Sequence, residues 1–353
     1  MMRPVLPKLL RPVPVRHSVT DEHRMRAWEI VQSHGHTTLA RFTLFEDKLY
    51  FFSSGGSMVA FVLQGRTAIT LGDPIGPVSD FCNCLTEFNA FCARNHWLPV
   101  YYQVLPDHLN TYNAAGFDHI CIGHDAVIDL SAFTLDRKES KNIRNSFNKM
   151  LRLGYKIQVC DPPHSTELIQ ELNQVSDAWL SNRGGFEIGF SLGSLDENYL
   201  NTCPIILVRS PDGSADAFTN IVFEFQANEA TIDLMRYRPG SQNGQMDYLF
   251  VSAIQWAQEN GIATFNLGFS PFTGIGKEPQ SPFIERGLRF IHEHAIRAPN
   301  FKGLYFFKEK FNPIWSPRYL IYPGWTSLPS VALGIMRAYK VDHLLGLYWP
   351  RHR

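Results

Sequence analysis

The chain has 353 residues, enough for two domains that each bury a core of their own. With 44% hydrophobic and 19% charged residues, its composition excludes a disordered or low-complexity protein. The 33 basic residues balance the 33 acidic ones, so any attraction to nucleic acid or anionic lipid must come from local patches.

Residues 1–18 read as an extended basic arm, interrupted by proline too often for a signal peptide. A helix is predicted from Asp21 to His34 with Thr20 as its cap. Strands at 49–52, 57–63 and 66–71 form an antiparallel meander, turned at Ser54-Gly55-Gly56 and Gln64-Gly65-Arg66 and ended by GDPIGP at 72–77. A helix at 79–95, a strand at 99–104, a helix at 106–115 and strands at 117–122 and 126–130 follow.

A second series begins with a basic helix over 137–156, in which Lys141, Arg144, Lys149 and Arg152 fall at helical spacings and Gly154 is the cap. A strand at 155–160, a helix at 164–181 and a glycine-rich loop at 184–195 carrying Glu187 come next. Strands at 204–209, 215–224 and 230–237 make another meander, then a helix opens near Gln245 and a strand runs from 263 to 267. A helix at 282–295 precedes the aromatic stretch FKGLYFFKEKFNPIWSPRYL, and 327–349 has the stripe of an amphipathic helix. Both halves show the order meander, helix, strand, helix, strand, which reads as a tandem duplication of one α+β fold.

The six cysteines show no CxxC pair and no zinc-like spacing with histidine, so reduced thiols and no metal are expected. No run approaches the 18 apolar residues of a membrane span, which points to a soluble or peripheral protein.

The most informative stretch is EATIDLMRYRPGSQNGQMDYLF, residues 229–250. Ile232, Leu234 and Arg236 alternate with Asp233, Met235 and Tyr237, the period of a strand. Asp233 and Arg236 therefore point to opposite faces unless a bulge turns one of them. The turn that follows contains Gly240 and Gly244 and leads into a helix N-terminus, where free N–H groups favour an anion. No GxSxG elbow and no Cys/His pair stand out, so a covalent intermediate is not expected. A strict CoA-binding signature is missing too, because Arg236, Gly240 and Gly244 are spaced too widely.

These motifs, in their order, resemble the cytosolic catalytic domain of the bacterial phosphatidylglycerol lysyltransferase and alanyltransferase family. They are GDPIGP at 72–77, KxxRNxxNKxxxxGY at 141–155, SDAWL at 176–180, GFSLG at 189–193, DLMRY at 233–237, FNLGFSPF at 265–272 and FKEKFNPIWSPRYL at 307–320. The resemblance implies two tandem GNAT-type mixed-sheet domains. It divides the chain into an N-terminal structural domain at 20–132, a catalytic domain at 133–325 and a helical tail at 326–353. It further implies transfer of lysine or alanine from aminoacyl-tRNA to a lipid hydroxyl, phosphatidylglycerol first, with no cofactor. Diacylglycerol, a peptidoglycan precursor, or a non-catalytic lipid- or tRNA-binding role are the alternatives. The many-helix membrane region that precedes this domain in the best-known members is missing, which leaves a piece of a longer chain or a stand-alone enzyme. The expected location is cytoplasmic, peripheral at the inner face of the cell membrane, with a membrane partner protein as a further expectation.

Within that reading Asp233 is a candidate for binding the donor's ammonium and Arg236 for a carbonyl oxygen or phosphate, against pairing with Glu229 or Asp233. Lys308 and Lys310 are candidates for the tRNA terminus or a lipid phosphate, Glu309 for the amine, and Glu285 and Glu187 for further amine recognition. Asp233, Arg236 and Lys308 make up the expected catalytic group. Lys141, Arg144, Lys149 and Arg152 would track tRNA phosphates, and Phe272 or Trp315 would stack on its unpaired 3′ end.

Overall fold

The computed structural model describes residues 19–182, 187, 189–226, 228–273 and 301–339. The expected helix at 282–295, with Glu285 in it, lies outside the described residues.

In chain order the described elements are α1 (Asp21–His34), α2 (Thr38–Phe42), β1 (Leu49–Phe52), β2 (Met58–Gln64), β3 (Thr67–Leu71), α3 (Phe81–Arg94), β4 (Leu98–Val104) and α4 (Leu109–Ala114). They continue with β5 (Asp118–Asp129), α5 (Lys141–Arg152), β6 (Lys156–Cys160), α6 (Thr166–Ser181), α7 (Glu197–Leu200), β7 (Ile205–Arg209), β8 (Ala215–Phe223) and β9 (Glu229–Tyr237). Last come α8 (Gln245–Glu259), β10 (Thr264–Pro271), α9 (Phe301–Glu309), β11 (Ile314–Tyr322) and α10 (Leu328–Ala338).

Most expected elements are present, and the differences have local causes. Thr20 caps α1 by accepting the N–H of His23. The two strands expected around Gly123 are one, β5, because Gly123 lets the backbone pass where a Cβ would lie 2.3 Å from the Ser270 carbonyl oxygen. Helix α5 starts at Lys141, four residues later than expected. Helices α2 and α7 and strand β11 were not foreseen. Helix α10 covers Leu328–Ala338 of the stripe expected over 327–349, and residues 340–349 of it lie outside the described residues.

The described residues divide into two compact units, one within 19–34, 43–119 and 319–339, the other within 35–42 and 120–318. The division by contacts runs near 120 and 318, beside the expected 132 and 325, and α10 is counted with the first unit. Both units carry the mixed sheet of the expected α+β, tandem GNAT-type fold.

In the first unit β1, β2 and β3 form the antiparallel meander, and β4 joins β3 in parallel. That parallel pair holds its register from Thr67↔Leu98 to Leu71↔Tyr102. The next N–H, of Gly72, donates to the Tyr102 carbonyl at 2.7 Å. Asp73 of the GDPIGP stretch then accepts the Leu105 N–H at 2.9 Å and the Tyr112 hydroxyl at 3.0 Å, so the end of the pair is tied shut.

The second unit orders its strands β5-β10-β9-β8-β7-β6. One face packs on α5 and α8 through Ile143, Met150, Ile232, Leu249, Ile254 and Phe265, and the other on α6 through Ile169, Leu172, Val175, Phe218 and Leu234. Here the parallel pair, β9 and β10, is joined only from Glu229↔Thr264 to Thr231↔Asn266. Beyond that point the two strands part.

Candidate active site

The parting of β9 from β10 follows from two bulges. Opposite Asn220 of β8, strand β9 places two residues, Asp233 and Leu234, where the register shifts between Met235↔Thr219 and Ile232↔Ile221. The extra residue leaves the Leu234 N–H off the ladder, and the buried Asn220 side chain accepts it at 2.8 Å. Ile232 therefore faces α8 while Leu234 faces α6, although two residues separate them. The same shift brings Arg236 to the α6 side, with its guanidinium 4.1 Å from the Trp179 ring centre. Asp233 and Arg236 are both buried there and feel each other's charge. The opposite faces expected from the three-residue spacing are thus avoided by the bulge that was the stated exception.

Strand β10 bulges in its turn at Leu267 and Gly268, between Asn266↔Val127 and Phe269↔Asp125 of β5. Again an asparagine fills the gap, the Asn266 Oδ1 accepting the Gly268 N–H at 2.8 Å. Two residues past the last β9–β10 pair, Thr231↔Asn266, come Asp233 on one strand and Gly268 on the other. The opening is thus bordered by a carboxylate on β9 and by the bulge of β10.

Asp233 is bound on several sides. The Gly193 N–H donates to both carboxylate oxygens at 3.0 Å, and the Tyr199 hydroxyl donates to Oδ2 at 2.7 Å. Burial pushes this carboxyl up to about 6, against the lowering effect of those bonds and of Arg236. Tyr199 is driven well above its ordinary value by its own burial and by the carboxylate. Arg236 donates to Glu187 at 2.9 Å, and the Glu187 carboxylate also accepts the Leu195 N–H at 3.2 Å. Arg236 therefore pairs with Glu187, beside the Glu229 and Asp233 that the sequence offered, and its charge also acts on Asp233.

Lys308 enters from α9. Its side chain is buried, and Nζ donates to the Gly268 carbonyl at 2.7 Å and the Phe269 carbonyl at 3.1 Å. Burial brings this amine down to about 7, with the Asp125 charge acting the other way. Asp125 is itself buried and takes Nε and Nη2 of Arg318 on one oxygen, at 2.8 and 2.6 Å. Sequence reading missed Asp125 and Arg318, as it missed Asn220 and Asn266. A buried opposite-charge pair in apolar strands was the only signal available for the first two.

The other candidates lie apart. Glu309 accepts the Trp315 indole N–H at 2.9 Å, and Lys310 pairs with Asp247 at 3.0 Å, so neither is turned to the carbonyls that hold Lys308. Gly244 caps α8 with φ of 102°, and a Cβ there would press on Ser146 of α5 at 3.4 Å. Gly240 takes φ of 80° with open space around it. On α5, Lys141 and Arg152 are exposed, Lys149 reaches the Asn243 carbonyl at 3.3 Å, and Arg144 donates to the carbonyls of Leu135 and Arg137. Arg144 also lines an open groove of about 570 Å³ with Phe133, Phe147, Asn148, Gln255 and Gln258.

Two α+β units in tandem, one with its parallel strands tied and one with them parting beside Asp233 and the bulge that holds Lys308, define a tandem GNAT-type protein with its candidate site in the second unit. Residues 28–322 match the family model described as phosphatidylglycerol lysyltransferase, C-terminal. The chain belongs to that family. The phosphatidylglycerol lysyltransferase of Bacillus subtilis strain 168 is 34% identical over 303 residues, which cover 86% of this chain and 35% of that one. The phosphatidylglycerol lysyltransferase of Staphylococcus xylosus is 32% identical, over 84% of this chain and 35% of that one. The chain thus spans about a third of the length of these curated relatives. Among solved structures, that of L-PGS from Bacillus licheniformis aligns with a TM-score of 0.80 at 33% identity, over 90% of this chain and 96% of that one. The C-terminal domain of a putative lysylphosphatidylglycerol synthetase from Agrobacterium fabrum aligns at 0.79 and 32%, over 89% and 95%. Among the described residues no helix is long and apolar enough to cross a membrane.

Proposed function

We propose that this chain transfers an amino acid, lysine first, from aminoacyl-tRNA to a hydroxyl of phosphatidylglycerol. The names of the relatives support the lipid and the lysyl group. The observation that carries the reading is the β9 bulge, which sets Asp233 and Arg236 on one face where β9 leaves β10. A carboxylate in a desolvated site binds an ammonium strongly, so Asp233 takes the α-ammonium of the donor. Arg236, braced by Glu187 and Trp179, faces the polar end of the same ligand. Lys308 stands at the other border of the opening.

An aminoacyl ester is already activated, so positioning and charge stabilisation are what the site must supply. The first unit is structural, since the Asp73 latch ties shut the strand pair that opens in the second. Helix α5 tracks tRNA phosphates through Lys141, Arg144, Lys149 and Arg152. The protein works at the inner face of the cell membrane by peripheral contact, alone or with a membrane partner.

The test is expression in a host that lacks aminoacylated lipids, followed by mass analysis of its lipid extract. A lysyl mass on phosphatidylglycerol, absent with Asp233→Ala, is the expected result. A new mass on diacylglycerol, or none while the folded protein accumulates, would overturn the choice of acceptor.

A further inference from the structure

Resting on the transfer reaction proposed above, we propose that Lys308 is the proton acceptor for the attacking hydroxyl, and that the buried Asp125–Arg318 pair is the device that positions it. A neutral lysine amine has two N–H donors and one lone pair. In this structure two carbonyls, those of Gly268 and Phe269, accept from Nζ. With its two N–H groups spent on them, the neutral amine keeps its lone pair for a third partner.

The Gly268 carbonyl belongs to the β10 bulge and the Phe269 carbonyl follows it directly, and that stretch is held from β5 and β11. Asp125 stands opposite Phe269 in the register and receives Arg318 through two bonds and the Asn266 amide at 3.3 Å. Asn266 in turn fixes Gly268 through its N–H. Arg318, Asp125, Asn266 and the bulge therefore form one connected support under the amine. Among the described residues, three further charges of β9 and α9 have partners of their own. Glu229 of β9 accepts from Thr38 and Thr264, while Glu309 and Lys310 of α9 turn to Trp315 and Asp247. Burial brings the amine down to about 7, so that a neutral fraction exists at neutral pH, and Asp125 limits how far it falls.

The chemistry balances without any further reagent. Lys308 Nζ takes the proton of the lipid hydroxyl as that oxygen attacks the ester carbonyl carbon. When the bond from this carbon to the ribose oxygen breaks, the ammonium returns the proton to the departing oxygen. Lys308 is then neutral again, and Asp125 and Arg318 take no proton at any stage.

Lysyl-tRNA and phosphatidylglycerol in mixed micelles are the substrates for the test, with the full chain. Lys308→Ala and Lys308→Arg should each lower kcat by about 100-fold or more, since arginine keeps the charge but cannot accept a proton. A Lys308→Arg enzyme within tenfold of wild type would overturn the proposal in favour of a fixed cation. In ¹³C-lysine-labelled protein, the ε-carbon resonance missing from Lys308→Arg should titrate near 7. It should titrate lower in Asp125→Asn, together with the acid limb of kcat/KM. Asp125→Asn/Arg318→Gln removes both charges and serves if the single variant fails to fold. A midpoint above 10, or one that does not respond to either variant, overturns the proposal whatever the reaction. A wild-type chain that transfers no lysine while this resonance titrates near 7 overturns the assumed reaction instead.

Discussion

Gly193 gives its backbone N–H to both carboxylate oxygens of Asp233, each at 3.0 Å. A Cβ on Gly193 would lie 2.1 Å from Asp233 Oδ2 and 2.7 Å from the Tyr199 ring. The contact fastens the loop after α6 directly to the candidate site. It also explains a glycine whose conformation alone does not require one.

Gly193→Ala should therefore break the site more than the fold. The alanine methyl must push away either the carboxylate or the loop, at a cost of roughly 1–3 kcal/mol. Chemical denaturation should show that loss, while the KM for the donor rises at least tenfold. A variant with unchanged KM would mean that Asp233 does not hold the donor.

Asn220→Leu should flatten the same site from beneath. It removes the acceptor for the Leu234 N–H in the middle of the sheet and leaves that donor buried, which costs about 1–3 kcal/mol. Without that support the bulge loses its stabilisation, and Asp233 and Arg236 drift from the common face. Transfer should fall further than stability predicts, which denaturation curves and kcat/KM on the same protein would separate. Proportional losses would assign Asn220 to the fold alone.

These two asparagine-closed bulges mark the limit of what the sequence could disclose. The meanders, α8 and the glycine turn were legible because apolar periodicity and turn residues are local signals. A bulge depends on the partner strand, and Ile232 and Leu234 look like one face until Asn220 is placed opposite Asp233. Lys308 could be suspected from its apolar neighbours. Asp125 could not be joined to Arg318, because their pairing spans nearly the whole second unit. Glu187 was visible as an acid in a glycine-rich loop, but its tie to Arg236 joins residues 49 apart in the chain, which no local signal shows.

The buried carboxyl of Asp233 carries a pH signature. Its value is raised from 3.8 to about 6 in the folded chain, chiefly by desolvation. The folded state thus holds its proton more tightly than the unfolded state, so this stabilisation is complete below about pH 4 and lost as pH rises through about 6. The span corresponds to about 3 kcal/mol. Unfolding free energies of the ligand-free chain, compared with Asp233→Asn, should show the variant gaining relative to wild type between pH 4 and 7. A constant difference would place the carboxyl near its ordinary value. Because an ammonium prefers the ionised form, donor affinity should rise across the same window.

Helix α5 makes the last prediction, about salt. Lys141 and Arg152 are exposed near its two ends, whereas Arg144 is already engaged by the Leu135 and Arg137 carbonyls. If the helix follows a tRNA backbone, each exposed cation displaces about one counterion when it meets a phosphate. Lys141→Ala/Arg152→Ala should then reduce the slope of log affinity against log salt by about 2. Filter binding of tRNA from 50 to 200 mM salt, a range in which such contacts weaken strongly, would measure it. The chain has no net charge, so nonspecific attraction by the whole molecule cannot supply the slope. An unchanged slope would move the tRNA surface off this helix, while the chemistry assigned to Asp233 and Lys308 would stand on its own tests.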